Sequence, residues 1–160
     1  MLERIIENLK KNNKTISTME SCTGGYIVNS ITNIPGASKV LNFSAVTYSN
    51  KYKVKMGVSK KIIDEYTVYS KEVAQEMSKA ISKFSSSNYG IGITGKLGVK
   101  DSNNLIGNDN QVFVSIYDSD KDIYISFDLL VHSDDREECK KEILNEIILK
   151  LYEYLSDEDV

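Results

Sequence analysis

The chain of 160 residues holds one proline, one histidine, two cysteines and no tryptophan. Each scarcity excludes something. A lone His132 cannot anchor a zinc site, and Cys22 and Cys139 lie in very different contexts, so neither a disulfide framework nor a metal centre is expected. No run of about 18 apolar residues occurs, so no segment is predicted to cross a membrane. The N-terminal "MLERIIENLKKNNK" lacks an apolar core and a cleavage site, which argues against a secretory signal. Charge of one sign is also missing. The net charge is −3 and the twenty basic residues are spread out, so direct binding to nucleic acid is not expected. With 41% hydrophobic and 27% charged residues, the composition fits a soluble, cytoplasmic, single globular domain over 1–160. A domain of this size buries about two-thirds of its unfolded surface.

Leu2, Ile5, Ile6 and Leu9 share one helical face and predict a first helix. "TISTME" (15–20) reads as a strand, "GGYIVNSITNI" (24–34) as a helix ended by Pro35-Gly36, and "NFSAVTYS" (42–49) as a second strand. Ser59 and Ser70 are expected N-caps. After Ser70, the stripe Val73, Ala74, Met77, Ala80, Ile81, Phe84 predicts a helix. "YGIGIT" (89–94) reads as a buried strand, 96–110 as a long polar loop, and "QVFVSIY" with "DIYISFDLLV" as a hairpin. A long last helix is expected from near Ser133, marked by Cys139, Ile143, Ile147, Leu151 and Leu155. Strands alternating with helices, then a hairpin, predict an α/β sandwich with a mixed sheet.

Three stretches invite a chemical reading. "GIGITGK" (90–96) spells G-x-x-x-x-G-K, but Leu97 follows where Ser or Thr should hold magnesium. The intervening residues are also strand-like, so a phosphate loop is not expected. "ESCTGG" (20–25) puts Ser21 and Cys22 between a strand and a helix, where unpaired backbone N–H groups and the positive end of the helix dipole gather. Ser21 is there either a nucleophile or, with Thr23, a helix cap; Cys22 without a nearby His reads as structural. A serine nucleophile needs a base, and "TYSNKYK" (47–53) offers Tyr48, Lys51 and Lys53, against the plain alternative of a solvated lysine face. Arg136, near the start of the last helix, gains nothing from the dipole there; it either holds an anion or pairs with neighbouring acids.

"ESCTGG", "PGAS", "VTYSNKYK", "VYSKEVAQEM" and "GITG", in that order, resemble the CinA C-terminal domain family, which includes nicotinamide-nucleotide amidases. The resemblance runs from about Thr15 through the last helix. Many members carry a further N-terminal domain, for which 160 residues are too few. It implies a three-layer α/β/α sandwich and hydrolysis of the carboxamide of nicotinamide mononucleotide, without metal or cofactor. It further implies Ser21 as nucleophile with Tyr48 and Lys53, Lys53 rather than Lys51 matching the spacing after the tyrosine. Substrate contacts are implied at Thr23, Gly24, Gly25, Thr94, Gly95 and Arg136, with Lys140 close by, and a homo-oligomer is suggested. Backbone N–H groups near Gly24 and Gly25 are the expected oxyanion site. One departure stands out. After "ITG" the family continues in the manner of I-A-G-P-G-G, here replaced by "KLGVKDSNN", so a divergent nucleotide-binding or competence-damage accessory domain of the same fold is the alternative.

Overall fold

The computed structural model describes residues 1–98 and 108–158. Its five-stranded sheet is built on β1 (Ile16–Glu20), every residue of which is buried, with β2 (Ala45–Val46) on one side and β3 (Tyr89–Gly95) on the other, both parallel to it. β4 (Gln111–Asp118) and β5 (Ile123–Leu130) add as an antiparallel hairpin, giving the order β2-β1-β3-β4-β5. The mixed sheet predicted from the strand and hairpin pattern is therefore present.

Helices cover both faces. One core joins α1 (Leu2–Lys11), α2 (Tyr26–Thr32) and α6 (Arg136–Glu158) to the sheet through Ile5, Leu9, Ile27, Ile143 and Ile147, meeting Tyr89, Ile91 and Ile93 of β3. A smaller core on the other face joins α4 (Lys60–Tyr66) and α5 (Lys71–Ser85) through Ile63, Val73, Met77 and Ile81 to Met19 of β1. The strand period of two sorts β3 cleanly: its large residues face the first core, and Gly90 and Gly92 face α5. A Cβ on Gly90 would lie 2.1 Å from the Ser78 carbonyl oxygen, and one on Gly92 2.3 Å from that of Ala74. The glycines of the "GIGITGK" string thus let α5 lie against the strand. The string stays extended to Gly95, with no loop for a phosphate.

Ser59 and Ser70 cap α4 and α5, accepting from the N–H groups of Ile62 and Val73. Other expectations need correction. The strand predicted over 42–49 shrinks to two residues, because the Thr18 N–H bonds the Ser44 hydroxyl instead of a backbone carbonyl, and Ser49 already caps α3 (Asn50–Lys55). Phe84 is exposed and packs on Phe43, with ring centroids 5.0 Å apart, instead of entering the core. The last helix begins at Arg136, since Asp135 accepts the Glu138 N–H and Ser133 that of Asp135. Most of the polar loop expected at 96–110 lies outside the described residues. No helix among the described residues is long and apolar enough to cross a membrane.

The contact at Gly92 makes a direct prediction. Gly92→Ala should cost about 1–3 kcal/mol by forcing α5 off the strand, read as a lower urea midpoint at unchanged slope. An unshifted midpoint would mean the helix does not approach β3 this closely.

Candidate active site

The sheet ends in an elbow at Glu20–Gly25. The Ser21 N–H continues the ladder to the Ile93 carbonyl (3.1 Å), and the Gly24 N–H then closes a turn onto the Ser21 carbonyl (3.0 Å). Gly24 (φ +60°) and Gly25 (φ +97°) take left-handed conformations that favour glycine, so the chain enters α2 without a longer loop. α2 has no side-chain cap of its own. Its cap comes from the strand: the buried Glu20 carboxylate accepts from the N–H groups of Ile27 (3.0 Å) and Val28 (2.9 Å), and from the hydroxyls of Thr23 (2.7 Å) and Thr18 (3.0 Å). A carboxylate at a helix N-terminus satisfies open donors and the dipole together. Glu20 thus does the capping considered for Ser21 or Thr23. Its cap lies several residues upstream, a spacing that capping patterns do not search.

Strand alternation then sends Ser21 to the opposite face from Glu20, toward α3. There the Lys53 Nζ lies 3.0 Å from Ser21 Oγ and 2.8 Å from the Thr47 carbonyl oxygen. Lys53 is 1% exposed and Ser21 7%. Thr47 is itself held to β1 by donating its N–H to the Glu20 carbonyl (2.8 Å). Lys51 is exposed, with its ammonium 6.0 Å from the Tyr52 ring centre. Of the two lysines, the fold brings only Lys53 to the serine. Tyr48, 66% exposed, borders the same cavity, but its hydroxyl makes no hydrogen bond among the described residues. Cys22 packs toward the first core, and burial pushes its thiol up to about 12, against a smaller opposing pull from Lys53. A thiol so raised is protonated at neutral pH and a poor nucleophile.

Ser21 and Lys53 open into a cavity of about 110 Å³. Tyr48, Thr94, Gly95 and Arg136 line it, as do Asn50, Tyr69 and Lys96, three residues the sequence reading did not assign to the site. Lys96 was legible only as the end of the rejected phosphate-loop string. Thr94 spends its hydroxyl on the Val68 carbonyl (2.9 Å). Gly95 has no room for a side chain, since a Cβ would lie 2.6 Å from the Gln111 carbonyl oxygen. Thr23, Gly24 and Gly25 do not line the cavity; Thr23 is buried on Glu20, and the Lys140 ammonium stands beside Gly24. The Gly24 N–H, an expected oxyanion donor, is taken by the Ser21 carbonyl. The N–H groups of Cys22 and Thr23, which follow Ser21, donate to no backbone carbonyl among the described residues, and that of Cys22 bears on its own thiol. Lys96 and Arg136 bring positive charge to the lining, and none of its described residues is Asp or Glu.

Comparison with known proteins agrees with this architecture. The chain superposes on a CinA superfamily protein from Klebsiella pneumoniae 700603 with a TM-score of 0.88 at 19% identity, covering 98% of this chain and 96% of that one. For the competence/damage inducible protein CihA from Agrobacterium tumefaciens the TM-score is 0.78 at 22% identity, over 94% and 95%. In sequence, a competence-damage inducible protein of Clostridium botulinum (strain Langeland, type F) is 48% identical over 99 residues, 61% of this chain and 24% of that protein. One from Caldanaerobacter subterraneus is 43% identical over 99 residues, with the same coverage. The matched stretch spans about a quarter of the length of these curated relatives. A family model described as the CinA C-terminal domain matches residues 1–155, and the chain belongs to that family.

Proposed function

We propose that the cavity is an amidase site that hydrolyses the carboxamide of nicotinamide mononucleotide to nicotinic acid mononucleotide and ammonia. The observation that carries this reading is the buried Ser21–Lys53 contact at 3.0 Å. A serine hydroxyl is a weak nucleophile until a base takes its proton, and a lysine can be that base only as the neutral amine. Burial away from water favours the neutral form of an amine in general. With Lys53 neutral, the same contact reverses: the Ser21 hydroxyl donates to Nζ.

In the first half-reaction Ser21 Oγ attacks the carboxamide carbon while its proton passes to Lys53 Nζ. The carbonyl oxygen, now negative, is assigned to the N–H groups of Cys22 and Thr23. Collapse breaks the C–N bond, ammonia leaves with the proton from Lys53, and an ester on Ser21 remains. Water then attacks the ester and gives its proton to Lys53, which returns it to Ser21 Oγ as the acid departs. Thr47 aims the amine through its carbonyl. Tyr48, at the mouth of the cavity, fits a part in holding the substrate better than one in relaying the serine proton. The cavity volume of about 110 Å³ is below the ~300–1,000 Å³ of sites that enclose whole drug-sized ligands. It suits the reacting end of a nucleotide, and the cations Lys96 and Arg136 in the lining suit its phosphate. The competing reading, a binding domain without turnover, draws on the changed residues after Gly95.

Ammonia release from nicotinamide mononucleotide tests the proposal. Ser21→Ala and Lys53→Met should each lower kcat by more than about a thousandfold, while Lys51→Met keeps most activity. Equal losses in the two lysine variants would remove Lys53 from the mechanism. Cys22 should react slowly with a thiol reagent at neutral pH; fast labelling would return it to consideration as the nucleophile.

A further inference from the structure

We infer that Lys96 is a specificity-determining residue that, together with Arg136, holds a phosphate-type anion of the substrate. The inference rests on reading this cavity as the place where substrate binds, and it concerns a residue that the resemblance does not supply. In this chain Lys96 immediately follows the string "GITG".

Four observations bear on it. Lys96 directly follows β3 and is 5% exposed, unusual for a residue type that normally keeps its ammonium in water. It lines the cavity that contains Ser21 and Lys53. Its ammonium lies 5.1 Å from the centre of the Tyr69 ring, itself part of the lining, in a cation–π contact. Its backbone is pinned as well, the N–H donating to the Gln111 carbonyl (3.2 Å), so the side chain starts from a rigid point on the sheet.

Lysine binds phosphate as a point charge and arginine as a planar fork, and the two occur together where a doubly charged group is held. Arg136 reaches the cavity from the exposed first residue of α6, whereas Lys96 is buried, where poorer screening strengthens its attraction. A phosphomonoester carries close to two negative charges at neutral pH, its second ionisation falling near pH 6. Lys53 does not fill this role, because the mechanism needs it neutral. The second cation therefore sets preference among ligands that share the same carboxamide: a phosphorylated one is favoured over the nucleoside that lacks the phosphate.

The test is calorimetric binding to the Ser21→Ala protein, in which turnover does not interfere, with nicotinamide mononucleotide and with nicotinamide riboside, the same molecule without the phosphate. Adding Lys96→Met should weaken the mononucleotide about 10- to 100-fold, the range of a charge-assisted contact, and change the riboside by less than about threefold. Lys96→Arg should restore most of the loss, and Lys96→Gln replaces the methionine variant if that protein does not fold. Equal weakening of both ligands, or none for the mononucleotide, overturns the inference. If the Ser21→Ala protein binds neither ligand, the proposed substrate is wrong, and a thermal-shift titration with inorganic phosphate decides for Lys96. Stabilisation by phosphate that Lys96→Met abolishes supports the anion site on its own, and its absence overturns it.

Discussion

The buried carboxylate of Glu20 is the interaction on which the rest of the site depends. It is the last residue of β1, and its oxygens accept from two backbone N–H groups of α2 and from two threonine hydroxyls. A buried carboxylate is costly unless its hydrogen bonds are supplied, and here four donors supply them. The same four contacts fix where the strand stops and how α2 starts. They also leave Ser21 in only one place, on the opposite face and at the top of the sheet. The backbone carbonyl of Glu20 does further work by receiving the Thr47 N–H, which brings in the segment leading to α3.

The Ser21–Lys53 pair is thus assembled from two segments that share no local structure. Lys53 sits on a six-residue helix, too short to be stable by itself, and its amine is held at Ser21 Oγ and the Thr47 carbonyl. Around this pair the lining separates into parts with different tasks. Thr94 and Gly95 are committed to the scaffold by the Val68 bond and the close approach of β4. Lys96 and Arg136 carry the charge.

How much of this the sequence discloses depends on the distance between cause and effect. Signals within one or two turns read correctly: the amphipathic stripe of α1, the hydroxyl caps at Ser59 and Ser70, the hairpin of β4 and β5. Errors occur where a side chain from elsewhere intervenes. The predicted second strand is cut short by the Ser44 hydroxyl at Thr18, and Phe84 fits the apolar stripe yet pairs with Phe43 outside the core. For the site, residue types and spacing could nominate Ser21 and a lysine from 51–55 but could not choose between capping and catalysis. The choice of Lys53 came through resemblance, and the contact with Ser21 is a tertiary fact. Glu20 and Lys96 were passed over because each acts through partners that a linear pattern does not place beside it.

β2 is the edge of the sheet and has only two residues paired to β1. The segment that aims the Lys53 amine is anchored through this shortest ladder, while the two cores are held by the long strands and α5, α6. Fraying of β2 would withdraw the amine from the serine, loosen the contact of Ala45 with the second core and leave the first core packed. The free energy of opening that governs the site is therefore that of a local excursion, smaller than the free energy of global unfolding. Loss of competence and loss of fold become two separate events along a denaturation curve, the first at milder conditions than the second.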